Sequence, residues 1–197
     1  MLEMKRGCTV PQNKLLQEQY EWDGKVMVAN VDASRILRVM QQFIAMQDEA
    51  LFFFLGIPAT RQQEEALQSG ESNALHKAVY YLDGVSAAQA EQLLAQYGEL
   101  LVQDGYCEFG FGNRSGTAEI QSCRYNIVTL LTEDARYCRL FETLGIARAQ
   151  RIVTAWDAFS SDTPGSCTAA EVAGVRIFDL PRLLQPMGLY FAEYRED

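Results

Sequence analysis

The sequence predicts an α+β fold: a single domain in which helices pack on a mixed, mostly antiparallel β-sheet. Strand-like and helix-like apolar patterns alternate along most of the chain. Near the middle, at about residues 105–131, two strand patterns follow one another with only a short turn between them. Such a central hairpin requires antiparallel pairing. No linker or internal repeat divides the 197 residues, a length typical of one domain. We expect a polar N-terminal arm over residues 1–20 and one α+β domain over residues 21–197.

The domain begins with a strand, a helix and a second strand. Residues 25–31 alternate as a strand, and Asp32 or Ser34 can cap the helix that follows. The apolar positions of this helix recur every three or four residues and form one stripe; they are Ile36, Val39, Met40, Phe43 and Ile44. The apolar run at residues 50–57 predicts a buried strand, which Pro58 ends.

Two capping boxes mark the next two helices. Thr60 with Gln63 begins a short helix, and Ser86 with Gln89 begins a longer one. Between them, residues 76–82 predict a strand. Helices and strands therefore alternate up to the central hairpin.

The first arm of the central hairpin carries glycines on one face. Cysteine and phenylalanine alternate there with Glu108, Gly110 and Gly112, so these three residues share a face. Because glycine has no side chain, another group can approach the backbone closely at this place. The glycine face is therefore the most specific candidate for a site.

The last third of the chain is less regular. Thr132 can cap a helix. Residues 150–159 predict a strand, with a helix as the alternative, and Thr168 with Glu171 predicts a third capping box. Residues 189–194 predict a closing strand.

The charge distribution predicts the kind of partner. The net charge is −9, which argues against binding to nucleic-acid phosphates. Residues 78–113 contain acids but neither lysine nor arginine. This run is typical of a solvated face, and it also suits a protein partner with a basic surface, because complementary charge speeds encounter. We place the contact surface on the acidic run at residues 83–108 together with the glycine face.

The sequence lacks residues that several kinds of catalytic and metal-binding site require. His76 is the one histidine, so a zinc site with two or three histidines cannot form within one chain. A catalytic triad would have to use His76, which lies at the edge of a predicted strand. The five cysteines are widely spaced, which favours reduced thiols. We expect no metal, no cofactor, no catalytic residues and, without a signal peptide or membrane span, a cytoplasmic location.

The remaining candidate residues are polar or aromatic positions in predicted strands: Glu108, Glu119, Arg124, Tyr125, Trp156 and Asp157. Glu108 and Glu119 lie on opposite arms of the hairpin. They suit an acid/base pair, a site for a hard cation, or simply two exposed acids. Arg124 and Tyr125 suit a buried polar network or a ligand. Trp156 with Asp157 suits the floor of a pocket or an anchor in the core.

These observations favour a non-enzymatic module that binds another protein through an acidic surface, as immunity proteins and adaptors do. The likeness to immunity proteins is one of size and composition. The alternative hypothesis is a small-molecule-binding protein or a carboxylate-dependent hydrolase, with a pocket around the central hairpin. A third is a homodimer in which the hairpin or the closing strand pairs across a two-fold axis.

Overall fold

A mixed sheet of nine strands dominates the structure, a computed structural model that describes residues 2–67 and 75–196. The strands, in chain order, are β1 (Cys8–Thr9), β2 (Gln19–Trp22), β3 (Val26–Asn30), β4 (Leu51–Pro58), β5 (His76–Val85), β6 (Glu108–Asn113), β7 (Ala118–Ser122), β8 (Ile127–Thr132), β9 (Ala147–Arg148), β10 (Ser166–Cys167), β11 (Glu171–Val172), β12 (Val175–Arg176) and β13 (Tyr190–Glu196). The helices are α1 (Ile36–Ala45), α2 (Arg61–Leu67), α3 (Ala87–Gln103), α4 (Arg139–Glu142), α5 (Ala155–Ala158) and α6 (Leu180–Leu184).

The order of strands in the large sheet is β13-β5-β4-β6-β7-β8-β3-β2-β9. Adjacent strands in this sheet pair antiparallel, except that β2 and β9 pair parallel. Two small ladders, β1 with β10 and β11 with β12, lie outside it. The predicted combination of helices with a large mixed sheet is therefore confirmed.

Helices α1 and α3 cover one face of the large sheet. The five apolar residues of the α1 stripe are all buried, as the helical pattern predicts. They join inward-facing strand residues in one core, among which Phe53, Phe111 and Ile120 are fully buried. The two helices touch closely at Gly98, where a Cβ atom would lie 2.8 Å from Cδ2 of Leu37. No helix in residues 2–67 and 75–196 has the length and apolar character that a membrane span requires.

The opposite face, which we call the open face, carries the predicted glycine face. Gly110 pairs with Phe54 and Gly112 with Phe52 across the β4–β6 ladder. The two phenylalanine rings lie over these glycines, where a Cβ atom would collide with the ring carbons. The group that approaches the glycine backbone is therefore the protein's own β4. This covering of a strand glycine by a cross-strand aromatic ring stabilises the pairing.

The central hairpin differs from its prediction. The second arm, expected to run to residue 131, is interrupted after Ser122, so β6, β7 and β8 form a three-stranded meander. The interruption places Tyr125 and Asn126 in the left-handed region, with φ of 54° and 64°. Because neither glycine nor proline marks this turn in the sequence, the predicted strand pattern runs through it without a break.

The predicted N-terminal arm is also wrong, because residues 2–20 pack against the rest of the protein. Leu2, Lys5, Cys8 and Leu16 are buried. The segment adds β1, and Tyr20 in β2 is fully buried as well. Its few apolar residues are irregularly spaced, so no periodic pattern reveals their burial.

At residues 150–159 the predicted strand is wrong, and the alternative of a helix is correct for part of the segment. The segment contains α5, whose first turn is closed by a capping box between Thr154 and Asp157. The predicted capping box of Thr168 and Glu171 opens no helix, because Glu171 lies in β11. The other two boxes, at Thr60 and at Ser86, form both of their hydrogen bonds.

We expect Gly110→Ala to destabilise the protein by about 1–3 kcal/mol, the usual range for overpacking. Its Cβ atom would meet the Ile120 carbonyl and lie 2.7 Å from Cε1 of Phe54. The matched control is Gly56→Ala in the neighbouring strand, where the nearest atom would be 3.5 Å away. That change should stay within about 0.5 kcal/mol. Urea unfolding measures both, and equal losses would contradict the close packing at Gly110.

Candidate functional site

Four predicted site residues, Glu108, Gly110, Gly112 and Glu119, lie together on the open face. Glu119 is opposite Gly112 across the β6–β7 ladder, four positions along β6 from Glu108. At about 3.4 Å per residue, the two acids are about 14 Å apart along the strand. The two catalytic carboxylates of glycoside hydrolases, which act on either side of one bond, are about 5–10 Å apart. The larger distance between Glu108 and Glu119 therefore does not suit an acid/base pair.

Each of the two acids is also engaged by a neighbour. Lys77 Nζ donates to Glu108 at 2.7 Å, in an ion pair whose side chains are about four-fifths buried. Gln121 Nε2 donates to Glu119 at 2.5 Å. These contacts fix the carboxylates on the sheet as structural pairs.

Arg124, Tyr125, Trp156 and Asp157 belong to a second group, beside the turn that follows β7. The Tyr125 ring meets Trp156 edge to face at 5.1 Å and Phe159 at 4.8 Å. Tyr125 is buried, whereas Trp156 is 58% exposed. The cluster therefore anchors the turn through Tyr125 and leaves the indole partly open to solvent.

Asp157 acts as a helix cap. Its carboxylate accepts from the backbone N–H and the hydroxyl of Thr154, at 2.8 and 2.9 Å. These hydrogen bonds lower the pKa of Asp157. His76, the one histidine, is likewise paired, with Nδ1 at 2.9 Å from a carboxylate oxygen of Glu64.

Lys5, which the sequence did not single out, is buried close to both groups. Its Nζ donates to Ser122 Oγ at 3.1 Å and to the Cys123 carbonyl at 2.7 Å. It makes no ion pair with the residues that the structure describes. Burial lowers the pKa of Lys5, because a charged ammonium is poorly solvated there.

The acidic run at residues 83–108 is divided between the two sides of the sheet. Glu91 and Glu99 lie on α3, which covers the core face, whereas Glu108 lies on the open face. Asp104 is buried, and burial raises its pKa, although it accepts from three backbone N–H groups. The run therefore does not form one continuous surface.

A different acidic surface forms where the β6–β7 turn meets the ends of α1 and β8. A cleft of about 830 Å³ opens there, and we call it the acidic cleft. Four carboxylates line it: Asp48, Glu49, Glu133 and Asp134. Lys25 and Arg136 are the basic residues of its lining.

Two of the four carboxylates are fixed by the protein. Glu49 accepts from the backbone N–H of Ser115 at 3.1 Å and from its hydroxyl at 2.6 Å. Asp134 accepts from the backbone N–H of Arg136 at 2.9 Å and from its guanidinium at 2.7 Å. These bonds lower the pKa of Asp134. Both groups are therefore oriented acceptors on the rim.

Asp48 and Glu133 differ from that pair, because both are exposed. Neither accepts a hydrogen bond from the described part of the chain. In the sequence they are adjacent to Glu49 and Asp134, in two acidic pairs that lie far apart along the chain. Only the fold brings the two pairs to one cleft.

Comparison of the chain with protein-family models, with curated proteins and with solved structures finds no match. Among the residues that the structure describes, no three His, Cys, Asp or Glu side chains are grouped so that they could hold a metal ion. The geometry of the acidic cleft therefore carries the functional interpretation.

We expect Lys5→Met to change how stability depends on pH. In the wild type, the folded state releases the Lys5 proton at a lower pH than the unfolded state, whose lysine pKa is about 10.4. Between these two pKa values the unfolded state binds more protons, so the wild type loses stability as the pH falls. The variant lacks this loss, so its stability relative to the wild type should rise with falling pH, by at most about 1.4 kcal/mol per pH unit.

Urea unfolding of both proteins at several pH values between about 6 and 10 measures this difference. The control is Lys14→Met, because Lys14 is exposed and its loss should leave the slope unchanged. Parallel pH profiles for the wild type and Lys5→Met would show that the buried ammonium is not destabilised.

Proposed function

We propose that this protein is a non-enzymatic binding module whose acidic cleft receives a basic segment of a partner protein. The observation that carries this proposal is the cleft of about 830 Å³ with Asp48 and Glu133 exposed at its lining, neither of them hydrogen-bonded within the described part of the chain. Lysine or arginine of a partner would complete the hydrogen bonding of these two carboxylates.

The rest of the cleft also suits a protein ligand. Leu131 is 45% exposed and Met46 is 38% exposed, and both line the cleft beside the acids. Apolar side chains surrounded by polar ones are the usual composition of a protein interface. The net charge of −9 would accelerate the approach of a basic partner and make binding sensitive to salt.

The alternative, a small-molecule-binding protein or carboxylate-dependent hydrolase around the central strands, has less support. It would use Glu108 and Glu119, which are about 14 Å apart along the strand and held by Lys77 and Gln121. None of the residues assigned to that alternative lines the acidic cleft.

The proposal is tested by affinity capture from the source cell with three immobilised proteins. These are the wild type, the double variant Asp48→Asn/Glu133→Gln, and the control double variant Glu65→Gln/Glu99→Gln. The control removes the same charge from α2 and α3, away from the cleft. We expect the wild type and the control to retain the same protein in low salt, and the cleft variant to lose it.

The interaction should also disappear at about 0.5 M salt, where the screening length is only a few ångströms. Direct titration of the purified partner should then show at least about a tenfold weaker affinity for the cleft variant, which corresponds to about 1.4 kcal/mol. Equal retention by both double variants would contradict the assignment of the cleft. A partner whose binding does not respond to salt would contradict the electrostatic basis.

A further inference from the structure

Cys8 and Cys167 lie opposite each other in the short antiparallel ladder of β1 and β10. The backbone N–H of Thr168 donates to the Gly7 carbonyl at 2.8 Å, which makes the two cysteines a non-hydrogen-bonded pair. In such pairs the Cα atoms are about 4.5 Å apart and the side chains are closest. Disulfides join Cα atoms about 4.4–6.8 Å apart, so the register places the two Cα atoms at a separation that a disulfide can span.

The groups around Cys167 favour its thiolate. The neighbouring Cys8 thiol has the largest effect, and the Tyr125 hydroxyl adds to it. The positive charges of Arg124 and Lys5 act in the same direction. Although burial opposes them, together they lower the pKa of Cys167 to about 6.

Cys8 has the opposite character. The neighbouring Cys167 side chain and burial both raise the pKa of Cys8, so it keeps its proton at neutral pH. One thiolate beside one protonated thiol is the arrangement of an attacking and a resolving cysteine.

The other thiols are less suited to such chemistry. Cys107 is fully buried and Cys138 is 8% exposed. Burial also raises the pKa of Cys107 and of Cys123. All five cysteines are free thiols in the structure. Cys167 combines partial exposure with a neighbouring thiol.

We infer that Cys8 and Cys167 form a dithiol pair that a low-molecular-weight disulfide, such as glutathione disulfide, oxidises reversibly to an intramolecular disulfide. The Cys167 thiolate attacks one sulfur of the disulfide and displaces the other as a thiolate. Cys8 then loses its proton, attacks the Cys167 sulfur and displaces the second thiolate. The two cysteines give up two electrons and two protons, and the small disulfide takes them up as two thiol molecules.

The test starts from the fully reduced protein at about pH 7, treated with glutathione disulfide and then quenched by alkylation. Peptide mapping without reductant should find Cys8 joined to Cys167, with the mass of two hydrogen atoms lost. Dithiothreitol should restore both thiols. In Cys8→Ser, the reaction should stop at a stable mixed disulfide between glutathione and Cys167.

Tyr125→Phe provides a second variant that keeps the aromatic ring and removes the hydroxyl. Cys167 should then be modified several times more slowly in the variant than in the wild type near pH 6. The rates of the two proteins should converge above about pH 9, where the Cys167 thiol is ionised in both. The control is Cys138→Ser, which removes a buried thiol outside the pair and should react as the wild type does.

Three results would overturn the inference. One is a wild type that accumulates the mixed disulfide on Cys167 without joining Cys8. Another is a wild type whose Cys123 reacts as fast as Cys167. The third is a wild type in which neither Cys8 nor Cys167 reacts.

Discussion

The buried side chain of Asn126 is the interaction on which the rest of the structure depends. Its amide nitrogen donates to the carbonyls of Glu3 and Val31, at 2.8 and 2.9 Å, and its amide oxygen accepts from the backbone N–H of Lys5 at 2.9 Å. A single side chain thereby joins the N-terminal segment, the end of β3 and the start of β8. Because a buried amide is costly without partners, these three bonds hold the left-handed turn in place.

Several features follow from that turn. It separates β7 from β8, and it brings the Cys123 carbonyl to the ammonium of Lys5. It also directs the Tyr125 ring towards Trp156 and towards the thiol of Cys167. The buried lysine, the aromatic cluster and the thiol pair are thus consequences of one local backbone geometry.

Much of the architecture could be predicted from the sequence, because α1, α3 and the central strands carry regular apolar patterns. The turn at Tyr125 could not, because its conformation is stabilised by partners 95 to 123 residues away in the chain. Lys5 was missed for a related reason: a lysine in a polar segment gives no sign of burial. Asp48 and Glu133 reach the same cleft only because β3 pairs with β8 and α1 packs on the sheet. Neither of these tertiary contacts can be recognised from the local sequence.

The strand order also determines which backbone groups remain unpaired at the margins of the large sheet. At one margin β9 is only two residues long. At the other, β13 presents Glu193, Arg195 and Glu196 among its aromatic residues. Short or charged border strands are poor templates for the addition of a further chain. Both borders therefore oppose the edge-to-edge stacking that leads to fibrils.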